Sequence, residues 1–147
     1  MKYFLSFILF VTISKCQEIP FKVGELLIYT AQFELIPVGE AELFFKGNEK
    51  FNDIDVYHVS WKAYTKGLAS TIFKIQDKID IWIDKKDFFT HRLKKNINEG
   101  SYSKKVDVKF DYDKSIAKTE TKEVSIDFKA RDHFSMFYYL RTINLEK

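Results

Sequence analysis

The stretch Lys104-Lys105-Val106-Asp107-Val108-Lys109-Phe110-Asp111-Tyr112 decides how the chain is read, because charged and apolar residues alternate in it from Lys105 onward without a break. Successive side chains of a strand point to opposite faces, so Val106, Val108, Phe110 and Tyr112 share one face and Lys105, Asp107, Lys109 and Asp111 share the other. The pattern predicts a strand with one side buried and one in water. Just before it, Glu99-Gly100-Ser101 supplies turn residues and His91 to Asn98 forms the preceding strand, which makes the pair a hairpin.

Toward the N-terminus the period of two continues. Glu25 to Phe33 places Leu27, Tyr29, Ala31 and Phe33 in phase, and Gly39 to Lys46 does the same for Ala41, Leu43 and Phe45. Ile36-Pro37-Val38-Gly39 is expected to turn these two strands into a first hairpin. Ile54 to Tyr64 sets Val56, His58 and Ser60 against Tyr57, Val59, Trp61 and Ala63. Gly67-Leu68-Ala69-Ser70 reads as a short helical turn, after which Ile75, Ile79, Ile81 and Ile83 fall in phase. Toward the C-terminus a more polar pair follows, Ile116 to Thr121 and Glu123 to Phe128. Connections this short, with no helix between strands, require antiparallel pairing.

At Arg131 the period changes. Asp132 is placed to cap a helix running to Arg141, and the apolar side chains of that helix cover well over half its circumference. Such a helix must be covered, and one face of the sheet is the natural partner. The expected fold is mainly β: a curved antiparallel sheet, a meander forming an open, barrel-like shape, with one C-terminal helix packed on it.

Composition sets the class of chain, and the N-terminal segment the expected compartment. The 147 residues include five glycines, two prolines and one cysteine, with 46% hydrophobic and 31% charged side chains, which excludes collagen-like, disulfide-rich and disordered chains. Lys2 followed by the apolar run Phe4 to Ile13 has the length of an export signal and falls short of the roughly 20 residues a spanning helix needs. Residues 1–16 are therefore expected to be a signal peptide and 17–147 a single domain. Two processing routes stay open. Ile13-Ser14-Lys15-Cys16 resembles a lipobox that would lipidate Cys16, although Lys15 stands where a small residue belongs. Cleavage after Cys16, with small side chains at Ser14 and Cys16, fits the size rule better. Removing the signal takes away Lys2 and Lys15, bringing 24 basic side chains to 22 against 21 acidic ones. No concentrated positive field remains, so nucleic acid is not an expected partner.

Pro20 to Tyr29 soon after a signal peptide, then Ile36-Pro37-Val38-Gly39-Glu40-Ala41, then Gly67 to Asp80 with Ser70, Phe73 and Asp77, then Glu99-Gly100-Ser101-Tyr102 and the helix Asp132 to Arg141 occur in an order that resembles the DUF3108 family. The resemblance runs from about Pro20 to the C-terminus. It implies an exported, mostly antiparallel β domain of the bacterial envelope, and no reaction, ligand or catalytic residue. Members of that family continue into further strands after the helix, whereas this sequence stops at Asn144-Leu145-Glu146-Lys147. The comparison thus implies a fragment, or a short variant that completes its sheet by self-association.

Three functional readings follow. Asp77 falls in phase with the isoleucines of its segment, and His91, Lys95 and Glu99 fall in phase with Leu93 and Ile97. On an inward face these four would make a polar cluster for acid/base work or for a ligand headgroup, while a bulge or a strand-end position would disperse them. Trp61, Tyr64, Phe73, Trp82, Phe137 and Tyr138 suit an aromatic concavity for a lipid or another apolar ligand, or simply a packed core. Phe88-Phe89 beside the charged turn Asp84 to Asp87 offers a contact for an envelope partner or membrane if it is exposed. His58, His91 and His133 lie on separate segments without ligand spacing, so neither a metal nor any other cofactor is expected. No nucleophile elbow, phosphate loop or zinc-protease helix occurs. The leading expectation is a non-enzymatic binding or assembly module, with an envelope enzyme and a structural edge-pairing module as alternatives.

Overall fold

Residues 19–143 are described by a computed structural model, so the expected signal peptide and Cys16 lie outside the described residues. Eight strands follow one another: β1 (Leu26–Phe33), β2 (Ile36–Phe51), β3 (Ile54–Thr65), β4 (Gln76–Asp84), β5 (Thr90–Glu99), β6 (Tyr102–Asp111), β7 (Ile116–Lys118) and β8 (Glu123–Ser125). A one-turn helix α1 (Ala69–Ile72) joins β3 to β4, and helix α2 (His133–Thr142) comes last. Order in the sheet equals order in the chain and every neighbour is antiparallel, which is an open meander.

The first hairpin corrects the expected turn. Phe33 pairs with Ile36 across the two-residue loop Glu34-Leu35, and Glu34 takes a φ of 53°. Pro37, expected in the turn, lies in β2 opposite Gln32 beside a register break. It is tolerated there because β2 pairs with β3 only from Gly39 onward, so β3 makes no use of the N–H that proline lacks. The last two strands are shorter than their polarity pattern suggested, three residues each, because Thr119 turns the chain by bonding back to Lys122.

The sheet has an inner face, carrying α2, and an outer face. Leu43 and Phe45 of β2, Tyr57 and Val59 of β3, Ile79, Ile81 and Ile83 of β4 and Leu93 of β5 form the inner core with Phe134 and Tyr138 of α2. Phe21, from the segment before β1, is wedged into this core and its ring meets those of Phe45, Tyr57, Phe88 and Tyr138. Truncating a buried aromatic of this kind costs about 3–5 kcal/mol.

Both ends of α2 are tied to the sheet. Asp132 caps the helix by accepting from the amides of Phe134 (2.7 Å) and Ser135 (3.3 Å). Its other carboxylate oxygen accepts from the buried hydroxyl of Thr90 at the start of β5. At the far end Arg141 holds Glu25 through two hydrogen bonds, with its guanidinium over the rings of Phe21, Phe137 and Tyr138. That pair holds the Glu25 carboxyl below its ordinary pKa. The helix is thus fixed in position and angle by one carboxylate at its head and one guanidinium at its tail.

Candidate functional site

The inner face divides into a filled half and an open half. Under α2 the sheet is sealed by the aromatic core, and Phe137 and Tyr138 belong to that seal. Trp61 marks its margin, touching Phe134 on one side and Tyr29 on the other. Beyond Trp61 the in-phase residues of β1 to β3, Tyr29, Ala31, Phe33, Ala41 and Ala63, are half-buried or exposed.

The six aromatic residues expected to line one concavity are placed in four different surroundings. Tyr64 lies on the outer face, donating from its hydroxyl to Glu40 (3.0 Å) and Glu42 (2.9 Å), which pushes its pKa up to about 12. Trp82 is also on the outer face, stacked on His58 at 4.6 Å. Phe73, half exposed, stands at one end of the sheet, so close to Gly100 that a Cβ there would meet its ring at 2.9 Å. Trp61, Phe137 and Tyr138 alone share the inner side.

The polar cluster is likewise split. Asp77, Lys95 and Glu99 are in phase on the inner face of β4 and β5, since Ile79 pairs with Lys95 and Ile75 bridges to Glu99. The Asp77 carboxylate accepts from the Asn98 amide at 2.9 Å, so this in-phase acid ties β5 to β4. His91 is elsewhere. Ile83 pairs with Thr90 and Trp82 with Arg92, which leaves His91 as the extra residue of a bulge, its ring against Phe51, Phe89 and Tyr112. Phe51 also touches Trp82, which locates this group on the outer side. Burial lowers the His91 pKa, and Asp84, 3.5 Å away, offsets only part of that.

The His91 bulge opens onto a cleft of about 630 Å³, lined by Phe51, Ile54, Phe89, Phe110, Tyr112 and Ile116 and rimmed by charged turns. The cleft brings β3 next to β7, which would lie roughly 19 Å apart in a flat sheet at the usual strand spacing, so the sheet is curled. Phe88, expected with Phe89 as an exposed pair, is 4% exposed and belongs to the core, held at a φ of 57°.

A further group was not anticipated. On the outer face of β2, β3 and β4, His58 sits between Glu49 (Nδ1 to Oε2, 2.5 Å) and Asp80 (Nε2 to Oδ1, 2.9 Å). Lys46 and Lys78 also reach Asp80, and the Trp82 indole donates to Glu49. Burial pushes the Asp80 carboxyl up, but the hydrogen bonds from His58, Lys46 and Lys78 more than reverse this and hold it well below the usual range. Ser60 lies opposite Asp80 in register, yet its Oγ is buried without a hydrogen-bond partner among the described residues. Both nitrogens of His58 face carboxylates and no hydrogen bond joins it to Ser60, so the two do not form a nucleophile and base pair. This is a cross-strand network that fastens three strands. Alternation alone showed His58 and Ser60 on one face; what the pattern lacked was the register that brings Glu49, Lys46 and Asp80 to them.

The most unusual surface is the end of the sheet where β1 turns into β2, β3 into β4 and β5 into β6. These connections touch: Lys66 N donates to Val38 O at 2.9 Å and Gly100 N to Lys74 O at 2.7 Å. They carry Phe33, Leu35, Ile36, Leu68, Ile72, Phe73 and Tyr102, all exposed, with Leu35 at 92%, Ile72 at 85% and Leu68 at 83%. Single exposed apolar side chains are ordinary, whereas a contiguous group at one pole marks a contact surface. Among the described residues no group of three or more His, Cys, Asp or Glu is placed to hold a metal ion, and no helix is long and apolar enough to cross a membrane.

No curated protein and no solved structure matches the chain. A family described as "Protein of unknown function (DUF3108)" matches residues 28–147, from the middle of β1 through α2 to the last residue. An open antiparallel meander with a C-terminal helix, matched over nearly its whole length, therefore belongs to the DUF3108 family.

Proposed function

We propose that this DUF3108 chain is an exported, non-catalytic docking module of the bacterial envelope that engages an apolar partner through the pole of the sheet formed by the β1/β2, β3/β4 and β5/β6 connections. One observation carries the reading: the three most exposed large apolar side chains among the described residues, Leu35, Ile72 and Leu68, all stand at that pole, while the inner face under α2 is already filled by the molecule's own core. The apolar leader at residues 1–16 supports export, whether processing leaves Cys16 acylated or removes it.

The test is site-specific photo-cross-linking in living bacteria. A photoreactive residue at Leu35 should give an adduct with an envelope component, whereas the same residue at the exposed outer-face position Lys94 should not. Equal yields at the two positions, or none at Leu35, would reject the docking surface. Recovery of the chain in the cytoplasm with residues 1–16 attached would reject export.

A further inference from the structure

Away from the pole, we infer that β1 is the pairing edge of a two-fold dimer, in which the β1 strands of two copies lie antiparallel and join their sheets into one. The backbone is the first reason. β1 has β2 on one side and no described strand on the other. Phe45 N donates to Glu25 O at 2.9 Å, so by the alternation of an antiparallel ladder it is Leu27, Tyr29 and Ala31 that bond to β2. Leu26, Ile28 and Thr30 turn their N–H and C=O groups to the open side, a row of donors and acceptors spaced for another extended chain.

Composition is the second reason. From Leu26 to Phe33 β1 holds no charged residue and no proline. Edges that stay in water are guarded by shortness and charge, as β8 is at the other edge, with three residues that begin at Glu123. β1 is instead apolar on both faces, with Leu27 and Tyr29 inside and Leu26 and Ile28 outside, and Ile28 is 59% exposed. That is the composition of a strand inside a sheet. The same facts name the occupant. β8 is too short to cover β1, so head-to-tail stacking of copies fails, whereas β1 against a second β1 matches in length and closes at two copies. An uncharged strand also meets its own copy without like charges opposing each other. Pairing with β2 is regular from Leu26 to Ala31, where a bulge interrupts it. Centring the two-fold axis on Ile28 stays within that stretch, setting Ile28 against the partner's Ile28 on the outer face and Leu27 against the partner's Tyr29 on the inner.

The experiment is sedimentation equilibrium of the chain from Gln17 onward, which contains every residue of the described fold and no cysteine. It should show a monomer and dimer in concentration-dependent balance. Ile28→Lys should weaken the dimer at least about tenfold, since two lysines then meet across the axis. Its circular dichroism should match that of the parent, because Ile28 lies outside the core. Ile28→Glu should weaken the dimer likewise, and mixing I28K with I28E should restore it. Residues directly opposite in a hydrogen-bonded antiparallel pair have Cα atoms about 5.5 Å apart, within disulfide range, so Ile28→Cys should oxidise to a covalent dimer. Lys94→Cys, on the outer face away from β1, should not. Leu35→Asp, at the pole, should leave the dimer unchanged. A parent that is monomeric at every concentration, or a dimer that I28K leaves intact, would overturn the assignment of β1. Self-association lost in L35D and kept in I28K would move the contact to the pole and overturn it as well. Growth beyond the dimer would overturn the two-fold closure.

Discussion

Tyr138 stands at the centre of the core, 1% exposed, with a hydroxyl that has no hydrogen-bond partner among the described residues. Burial pushes its pKa upward, since the phenolate has no place among Phe21, Phe45 and Phe137. Its ring stabilises the fold and its oxygen does not. Tyr138→Phe is therefore expected to leave the folding free energy unchanged or raise it by up to about 1 kcal/mol, read from the urea midpoint, and a clear loss would mean that the hydroxyl is satisfied after all. The same scale explains why the sequence showed some functional candidates and concealed others. Asp77 announced itself by interrupting a run of isoleucines, and it does perform a distinct task by bonding the Asn98 amide. His58 sat on an ordinary alternating strand and gave no such sign, because its partners Glu49 and Asp80 come from two other strands.

Elements were the most legible level. Alternation located β3, β4, β5 and β6 to within a residue or two, because each buries one continuous face, and Asp132 identified the start of α2 through its cap. The misreadings came where backbone chemistry competes with pattern. Pro37 and Gly39 are turn-forming residues, but the open edge of β2 at that point let the strand run through them, and the turn formed two residues earlier. At the head of β5, the bulge at His91 moved that side chain to the opposite side from Lys95 and Glu99, which alternation cannot foresee. For α2, the cap joins the helix to the sheet through Thr90. Asp132→Ala is expected to destabilise by about 2 kcal/mol, more than the roughly 1 kcal/mol typical of an isolated cap, because the buried Thr90 hydroxyl also loses its carboxylate partner. Combining it with Thr90→Val should show coupling, since the second change removes the group that the first leaves stranded, and additive losses would argue that the two residues act separately.

For the molecule as a whole, the buried ionisable groups set how stability responds to acid. Both informative groups have native pKa values below their ordinary ones. An unfolded chain takes up the His91 proton near pH ~6.5, while the buried ring resists it, so this contribution is whole above that pH and drains away as pH falls toward the lower native value. Asp80 behaves in the same direction at lower pH: its contribution is complete above the ordinary aspartate range and is lost as pH falls below it. Urea unfolding at a series of pH values should thus show two successive acid losses. Asp80→Asn should cost about 1–3 kcal/mol near neutrality and make the more acidic loss shallower, the remainder coming from other paired carboxylates such as Glu25 and Asp107, while leaving the one near pH 6 in place. A parent whose stability is constant from neutrality to about pH 4 would contradict the His91 assignment. The overall architecture was readable because an alternating chain with short connections has few ways to pair. The apolar pole was not, because nothing in the one-dimensional pattern says that turns separated by some thirty residues end beside one another.

The clamp between Arg141 and Glu25 joins positions 116 residues apart, in a sheet whose strands otherwise pair only with their immediate successors. A meander can zip from either end by local steps, but α2 follows all eight described strands and must find the segment that precedes β1. Until synthesis has passed the final helix, the greasy inner face stays uncovered and Phe21 has no ceiling. A nascent chain that has not yet reached α2 lacks the aromatic seal over its inner face, so the core closes only when Arg141 can meet Glu25.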